Sequence, residues 1–270
     1  AAGSGGDAQA AIGERVAVAA SAMLSEYCRV PIADCLILPA GTPVEAAAAA
    51  SINPMTALAM LETMRGEGHS AICLTAAASN LGCMVNRLCL RDGVPLVNIV
   101  RSSQQVALLR GLGAECVLDS TEAHFDEALE AAMAATGATI AFDATGGGTL
   151  GGRILRAMDR SLSVRAPGQG RYGSAVHKQL YFFGGLNPEP VTFQRDFGMA
   201  WGMGGWLLQA RLARLDPAQV MAMKQRVRDE LSGTFSSSFG GSIGLGEMIV
   251  EGHVRRYANR GTGDKLLVRP

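Results

Sequence analysis

The sequence predicts an α/β fold, a doubly wound parallel sheet (Rossmann) with helices on both faces. Between residues 71 and 184, apolar runs of strand length alternate with helical patterns. Consecutive βαβ units of this kind connect by right-handed crossovers and form a parallel sheet. Residues 71–82 give a second indication, because an apolar run breaks there into small residues and then opens a helix. That order favours a turn that receives a phosphate group at a helix N-terminus.

The elements follow in order from local patterns, with strands at short apolar runs and helices at helical spacing of apolar residues. Thr42-Pro-Val-Glu45 is a helix-start signature for an Ala-rich segment that runs through Ala50. Asn53-Pro54 then restarts the helix, which ends at Gly66 and Gly68, and an Asn before Pro is typical of a helix cap. The following strands are 71–77, 95–101, 116–119, 139–145 and 180–184, and the helices are 81–91, 103–111, 122–135 and 149–160.

The two ends of the chain are less regular. We expect short strands at 15–19 and 27–31, a Gly- and Trp-rich helical stretch around Trp201 and Trp206, a helix after Asp216-Pro217, a helix through Val254 and a final strand at 265–269. Residues 1–40 hold short strands but no complete domain, so we expect a further segment before Ala1.

One connection, residues 163–178, is longer than the others, and long connections are either functional or disordered. It contains Gly168-Gln-Gly-Arg-Tyr-Gly173, a literal match to G-x-G-x-x-G, but no convincing strand precedes it and no amphipathic helix follows. We therefore interpret it as a flexible loop. Arg171, Tyr172 and Lys178 lie beside its glycines, as a lid over a cleft would require, and a solvated surface loop is the alternative.

The turn at 75–82 departs from the usual glycine pattern. The glycine positions of G-x-G-x-x-G hold Ala77, Ser79 and Gly82, so only the glycine that packs the helix against the strand is kept. Ala and Ser are small enough for a ligand to approach the backbone, and Asn80 can adopt a left-handed conformation. The sequence therefore still predicts a dinucleotide-binding turn.

The end of the second sheet strand, residues 95–101, indicates which dinucleotide binds. Folds of this class that select NAD place Asp or Glu there to hold the ribose hydroxyls. This chain has no acid at that place and continues with Arg101, Ser102 and Ser103. A guanidinium and hydroxyls suit a 2′-phosphate, so the sequence predicts NADP, and a surface arginine at a strand end is the alternative.

Composition argues against several other classes of protein. Lys plus Arg equals Asp plus Glu at 24 each, which leaves no net field to attract nucleic acid or an anionic membrane. No apolar run is long enough to span a bilayer and no signal-peptide pattern opens the chain, so we expect a cytoplasmic protein. The six cysteines and four histidines are scattered without metal-ligand spacing, so we expect no metal site.

The ordered set of motifs resembles the medium-chain dehydrogenase/reductase superfamily, in its zinc-independent quinone-oxidoreductase-like branch. The similarity extends over nearly the whole chain from near residue 15 onward. The matching segments are 27–39, Asn53-Pro-Met-Thr-Ala-Leu58, Thr75-Ala-Ala-Ala-Ser-Asn-Leu-Gly82, Leu112-Gly-Ala-Glu-Cys-Val-Leu-Asp119, Phe142-Asp-Ala-Thr-Gly-Gly147, Tyr181-Phe-Phe-Gly-Gly-Leu186 and Gly261-Thr-Gly-Asp-Lys265.

The resemblance implies a domain organisation. Members have an N-terminal GroES-like barrel, then a Rossmann domain, and then a return of the chain to the barrel. For this chain it implies the C-terminal part of a GroES-like catalytic domain at 1–50, the Rossmann dinucleotide-binding domain at 51–215 and the return at 216–270. Remnants of the barrel would thus lie at both ends of the chain, and the family's zinc ligands would lie mostly before Ala1.

The resemblance also implies which residues lie near the cofactor. One group would lie under the pyrophosphate, a second would flank the cofactor after the fourth sheet strand, and a third would face the nicotinamide. These groups are Ser79, Asn80 and Leu81, then Thr145 and Gly146, then Phe183, Gly184 and Leu186 with Asn53 and Thr56 nearby; Arg101, Ser102 and Tyr172 complete the predicted cofactor-binding set. We interpret Asp143 as a carboxylate that caps its loop and name no catalytic residue.

The leading hypothesis is an NADPH-dependent oxidoreductase that reduces a quinone or an activated carbon–carbon double bond by direct hydride transfer. We expect a small-molecule substrate and a homodimer. Two alternatives stay open. One is a catalytically silent NADP-binding sensor or structural protein. The other is an enoyl-thioester reductase, although the chain shows no basic run that would hold a CoA arm.

Overall fold

The structure is a computed structural model of the 270-residue chain, and it describes residues 6–21, 23–165, 172–259, 261–263 and 265–270. The strands are β1 Val16–Ala17, β2 Leu36–Ile37, β3 Ile72–Leu74, β4 Leu96–Val100, β5 Cys116–Asp119, β6 Ile140–Asp143, β7 Lys178–Phe182, β8 Trp201–Gly205, β9 Gly241–Gly244 and β10 Leu266–Arg269.

The helices alternate with these strands through the middle of the chain, as the sequence predicts. They are α1 Gly6–Ala10, α2 Val44–Ala47, α3 Asn53–Gly66, α4 Asn80–Asp92, α5 Ser103–Gly111, α6 Phe125–Thr136, α7 Leu150–Arg165, α8 Leu208–Leu212, α9 Pro217–Glu230 and α10 Glu251–Ala258. Within the described residues, no helix is both long and apolar enough to cross a membrane.

The chain divides into two compact units. The terminal unit consists of Ala1–Thr56 and Leu215–Pro270, and the sheet unit consists of Ala57–Arg214. In the terminal unit β1 pairs antiparallel with β2, and β9 pairs parallel with β10. Helix α9 begins at a capping box, in which the Asp216 side chain accepts from Ala218 N–H at 2.7 Å. Whether the terminal unit belongs to a barrel domain stays a prediction.

The sheet unit contains a six-stranded sheet in the order β5-β4-β3-β6-β7-β8, and every neighbouring pair is parallel. The chain starts at β3, moves outward through β4 and β5, returns to β6 on the other side of β3, and moves outward again. This is the doubly wound arrangement that the sequence predicts. The order reverses between β3 and β6, where folds of this class open a crevice at the carboxyl ends of the strands.

Helices cover both faces of this sheet. On one face, α6 and α7 pack over the strands through Phe125, Leu129, Met133, Ile154, Leu155 and Met158, all of which are buried. On the other face Phe142 stacks on Tyr181 and meets the Trp206 ring edge-on, while Trp206 Nε1 donates to Thr63 Oγ1 of α3. All five residues of β4 are buried, as expected for a central parallel strand covered on both faces.

Two sequence predictions about elements are wrong. Trp201 begins β8 rather than a helix, because the glycine-rich segment Trp201–Gly205 pairs with β7 along its whole length. The Trp201 ring also packs edge-on against Phe197, at 5.0 Å between centroids. Glycines disfavour a helix there, so strand pairing decides the structure. Residues 27–31 form no strand.

Candidate functional site

The carboxyl edge of the sheet brings most of the predicted site residues together. The segments that follow β3, β4, β6 and β7 all begin at this edge, because the four strands are parallel neighbours. They carry Ser79 to Leu81, Arg101 and Ser102, Thr145 and Gly146, and Phe183 to Leu186. Ser79, Gly184 and Leu186 are exposed, so a ligand can reach this edge.

The turn after β3 has the geometry of a phosphate-binding turn. Ser79 is the N-cap of α4, and its hydroxyl accepts from Gly82 N–H at 3.1 Å. A Cβ atom on Gly82 would lie 2.1 Å from the Ala77 carbonyl oxygen, so only glycine allows the helix to start this close to the strand. The N–H groups of the first turn of α4 therefore point out of the sheet edge, where a helix N-terminus favours an anion.

The left-handed residue of this turn is Ala76, with φ of 48°, and not Asn80. Asn80 is the first residue of α4. Sequence reasoning favours Asn80 because asparagine tolerates left-handed backbone better than alanine does. Here the turn also donates Ala77 N–H to the Ile99 carbonyl of β4 at 3.1 Å, which stabilises the strained conformation.

The carboxylate of Asp143, at the end of β6, joins β3 to the next turn. Asp143 is fully buried, and its Oδ1 accepts from Thr75 Oγ1 at 2.6 Å, Thr145 N at 2.8 Å and Thr145 Oγ1 at 2.5 Å. Its Oδ2 lies 3.4 Å from Gly146 N–H, which donates to it. Among the described residues no cation forms an ion pair with Asp143. The carboxylate thus caps the loop, as the sequence predicts.

A thiol near Asp143 is governed mainly by its burial. The pKa of Cys73, on β3, is raised well above its ordinary value, mainly by burial and further by the nearby Cys116 and Asp143. Cys73 therefore stays a neutral thiol at physiological pH and behaves as a small apolar residue of the core. All six cysteines are free.

Glycines allow the loops after β6 and β7 to touch. A Cβ atom on Gly146, which has φ of 70°, would lie 2.3 Å from the Gly184 carbonyl oxygen, and one on Gly184 would lie 2.7 Å from the Ala144 carbonyl oxygen. Backbone bonds from Leu186 N to Ala144 O and from Asn187 N to Thr145 O continue the contact. The two loops therefore form one rigid surface beside the crevice.

Arg101 and Ser102 follow β4 at the same edge. Ser102 is the N-cap of α5, and its hydroxyl accepts from Gln105 N–H at 3.4 Å. The Gln105 side chain in turn accepts from Arg101 N–H at 3.0 Å, which fixes the backbone of this short segment. Arg101 itself is exposed, and within the described residues its guanidinium has no hydrogen-bond partner. It is therefore available to an anionic ligand.

Tyr172 is not brought to this edge. It precedes β7, and its carbonyl accepts from Met199 N–H just before β8, so it lies at the amino edge of the sheet. Lys178 is not a loop donor either, because it is completely buried and pairs with Asp159 at 2.8 Å. The motif from Gly168 to Arg171 lies outside the described residues.

Asn53 and Thr56 belong to the terminal unit, at the start of α3. Thr56 is buried, and its hydroxyl donates to the Ile52 carbonyl at 2.8 Å, as threonines inside helices commonly do. Their role beside a cofactor stays a prediction.

Thr75 and Asn187 belong to this edge although sequence reasoning does not find them. Thr75 is buried at the end of β3, and its hydroxyl both donates to Asp143 and accepts from Ala144 N–H at 2.8 Å. The sequence feature that could have identified Thr75 is a hydroxyl residue at the end of an otherwise apolar strand. Asn187 anchors the loop after β7 through its backbone N–H, which leaves no signal in the sequence.

The site has the properties that a dinucleotide requires. It offers a capped helix N-terminus, glycines where a side chain would block the backbone, and an exposed guanidinium two strands away from β6. No group of three or more metal-ligating side chains occurs within the ranges that the structure describes.

Solved structures with this fold are numerous, although no protein-family model and no curated protein matches the chain. A Mesorhizobium loti protein that carries the name NADPH:quinone reductase is 24% identical, with a TM-score of 0.79 over 98% of this chain and 73% of that one. The quinone oxidoreductase of Thermus thermophilus, solved also with NADPH, is 22% identical, with a TM-score of 0.72 over 96% and 77%.

A mycobacterial protein solved in complex with NADPH is 20% identical, with a TM-score of 0.70 over 96% of this chain and 75% of that one. These three proteins share the α/β architecture, and the six-stranded parallel sheet of this chain agrees with it. The chain therefore shares the fold of these three solved structures.

Proposed function

We propose that this protein is an oxidoreductase that binds NADP(H) at the carboxyl edge of its sheet and reduces a quinone or an activated carbon–carbon double bond. The observation that carries the proposal is the strand order, which reverses between β3 and β6 where the phosphate turn and the Asp143 network meet. Ligands of doubly wound folds bind at this reversal. The NADPH complexes of two proteins with the same fold support the choice of cofactor.

The pyrophosphate would bind at the N-terminus of α4, beside Ser79, Asn80 and Leu81. Ser79 holds the first turn of the helix in place through its bond to Gly82 N–H, so the remaining N–H groups are oriented before the ligand arrives. The residues after β6 and β7, including Thr145, Gly146 and Phe183, would line the nicotinamide half.

Arg101 would bind the 2′-phosphate that distinguishes NADPH from NADH. It is exposed at the carboxyl end of β4, the neighbour of β3 in the sheet. At the end of this strand, folds that select NAD carry an acid. Ser102 would add a hydroxyl contact. Guanidinium groups bind phosphate through two parallel hydrogen bonds, so this position favours NADPH.

The bound nicotinamide supplies the hydride, and the residues of the chain position the reactants. Gly146 and Gly184 keep the two loops in contact, so that the surface beside the nicotinamide is preformed. Leu186 and Phe183 are partly or fully exposed apolar groups there, which would exclude water from the reacting atoms. No acid or base of the chain is assigned a catalytic role.

A cytoplasmic homodimer completes the proposal. The six cysteines are all free thiols, which is typical of a reducing compartment. Among the described residues, the outermost strand β8 pairs with β7 alone, and a second copy would cover its other edge. Light scattering on the purified protein tests this, since a monomer at micromolar concentration would contradict it.

The decisive experiment measures binding and turnover with the full-length gene product. We expect NADPH to bind more tightly than NADH and to be oxidised in the presence of a panel of quinones and enones. Binding without oxidation of NADPH by any acceptor would instead support the silent cofactor-binding protein. Turnover confined to enoyl-CoA substrates would support the enoyl-thioester reductase.

A further inference from the structure

The hydroxyl of Thr145 has a fixed direction. Asp143 Oδ1 already accepts Thr145 N–H at 2.8 Å, and Thr145 Oγ1 lies 2.5 Å from the same oxygen. A carboxylate oxygen can only accept, so the single hydrogen of the Thr145 hydroxyl points at Asp143. The lone pairs of that hydroxyl remain available for a further hydrogen bond, in which Thr145 can only be the acceptor.

The second hydroxyl bonded to Asp143 differs, because it is already satisfied. Thr75 Oγ1 donates to Asp143 at 2.6 Å and accepts from Ala144 N–H at 2.8 Å, and Thr75 is buried. Thr145 is partly exposed beside the crevice between β3 and β6. Of the two hydroxyls, only that of Thr145 is therefore within reach of a ligand.

We propose that Asp143 is a positioning residue that makes Thr145 an obligatory acceptor for a hydrogen-bond donor of the bound dinucleotide. This inference rests on the proposed function. The proposed function puts the nicotinamide half of NADPH beside Thr145, and that half offers two kinds of donor, the carboxamide N–H and a ribose hydroxyl. A ligand group that can only accept would face lone pairs and be rejected.

The chain contains a matched control. After β5, Thr121 donates both its N–H and its hydroxyl to Asp119 Oδ1, at 3.0 and 2.8 Å, which repeats the contacts between Thr145 and Asp143. Asp119 and Thr121 lie at the outer strand of the sheet, two strands away from β3. Thr121→Val therefore disturbs the same kind of capped turn at a distance from the crevice.

The test measures dissociation constants by titration, for NADPH and for its 3-acetylpyridine analogue, in which a methyl group replaces the carboxamide amino group. We expect Thr145→Val to weaken NADPH binding roughly three- to tenfold, since one neutral hydrogen bond is lost. The control Thr121→Val should bind NADPH as the unmodified protein does, whereas Thr145→Ser, which keeps the hydroxyl, should recover the affinity that Thr145→Val loses. If Thr145→Val weakens binding of NADPH but not of the analogue, the donor is the carboxamide. If it weakens binding of both, the donor is a ribose hydroxyl.

A double-mutant cycle tests the part played by Asp143. Asp143→Ala should weaken NADPH as Thr145→Val does, and the double variant should be no weaker than Asp143→Ala alone. Unchanged NADPH binding by Thr145→Val, or additive effects in the cycle, would overturn the inference. Failure of the unmodified protein to bind NADPH would instead refute the proposed function. Unfolding curves identify any variant that does not fold. If the Asp143→Ala variants do not fold, NADPH binding by Thr145→Val alone decides whether the inference stands.

Discussion

A buried aspartate lies at each end of the parallel strands, Asp143 at the end of β6 and Asp159 on helix α7 beside the start of β7, and the two carboxylates are stabilised in different ways. At the amino edge, Asp159 Oδ1 accepts from Lys178 Nζ at 2.8 Å and from Ser174 N–H at 3.1 Å. At the carboxyl edge, Asp143 accepts only from neutral hydroxyl and N–H groups. The first arrangement neutralises a charge and fastens a loop. The second orients polar groups at a surface that a ligand can reach.

Close packing at the amino edge indicates that Asp159 and Lys178 hold the neighbouring loop in place. Cβ atoms on Gly173 or Gly198 would each lie 2.8 Å from an Asp159 carboxylate oxygen, and both glycines have positive φ. Lys178 is completely buried and also donates to the Val176 carbonyl at 3.3 Å. The described residues around this pair pack directly against the carboxylate, so we interpret the Asp159–Lys178 pair as serving stability.

The largest effect is expected from breaking this pair. Lys178→Met leaves the Asp159 carboxylate buried without its cation, which should lower the free energy of unfolding by about 3–5 kcal/mol. Urea unfolding measures it. Replacing both residues, as Asp159→Leu with Lys178→Met, should restore most of the loss because no unpaired charge remains. A loss below about 1 kcal/mol for the single variant would show that the pair does not fasten the loop.

The next effect concerns the carboxyl edge. Gly82→Ala places a methyl group against the Ala77 carbonyl oxygen, so we expect α4 to shift and stability to fall by about 3 kcal/mol, the upper end for overpacking. Gly111→Ala, at an open position of α5, is the control and should stabilise slightly. NADPH affinity should fall with Gly82→Ala only. Equal unfolding midpoints for the two variants would contradict the close approach.

A third variant removes the exposed cation. Arg101→Ala should weaken NADPH binding by about 1.5–3 kcal/mol, roughly ten- to a hundredfold, and leave NADH nearly unchanged, because only NADPH carries the 2′-phosphate. Titration with both cofactors measures the preference. If NADPH and NADH bind the unmodified protein equally, Arg101 is an ordinary surface residue.

The smallest effect is expected from neutralising the second aspartate. Asp143→Asn keeps a carbonyl oxygen for the donors of Thr75 and Thr145, so stability should fall by only about 1 kcal/mol, the difference between charged and neutral acceptors. Urea unfolding of Asp143→Asn and of Lys178→Met compares the free energies of unfolding that are lost at the two edges. A greater loss for Asp143→Asn than for Lys178→Met would reverse the comparison.

Local patterns in the sequence predict the alternating strands and helices, since each depends on apolar residues a few positions apart. They do not predict contacts between distant residues. Lys178 resembles a loop residue in the sequence because its partner Asp159 lies on the preceding helix, and β8 resembles a helix because its pairing with β7 is not encoded locally. The predicted residues at the carboxyl edge come together because parallel strands end side by side, whereas the Thr75–Asp143 bond joins residues 68 positions apart.

The left-handed residue of the phosphate turn, Ala76, lies outside the glycine positions of G-x-G-x-x-G, which hold Ala77, Ser79 and Gly82. A left-handed alanine costs about 1–2 kcal/mol. Ala76→Gly would relieve that strain but would also give the unfolded chain more freedom, so the two effects largely offset each other. An exchange of alanine and glycine at position 76 is then nearly neutral for stability. The feature that defines this turn is a backbone dihedral angle, which the residue letters alone do not reveal.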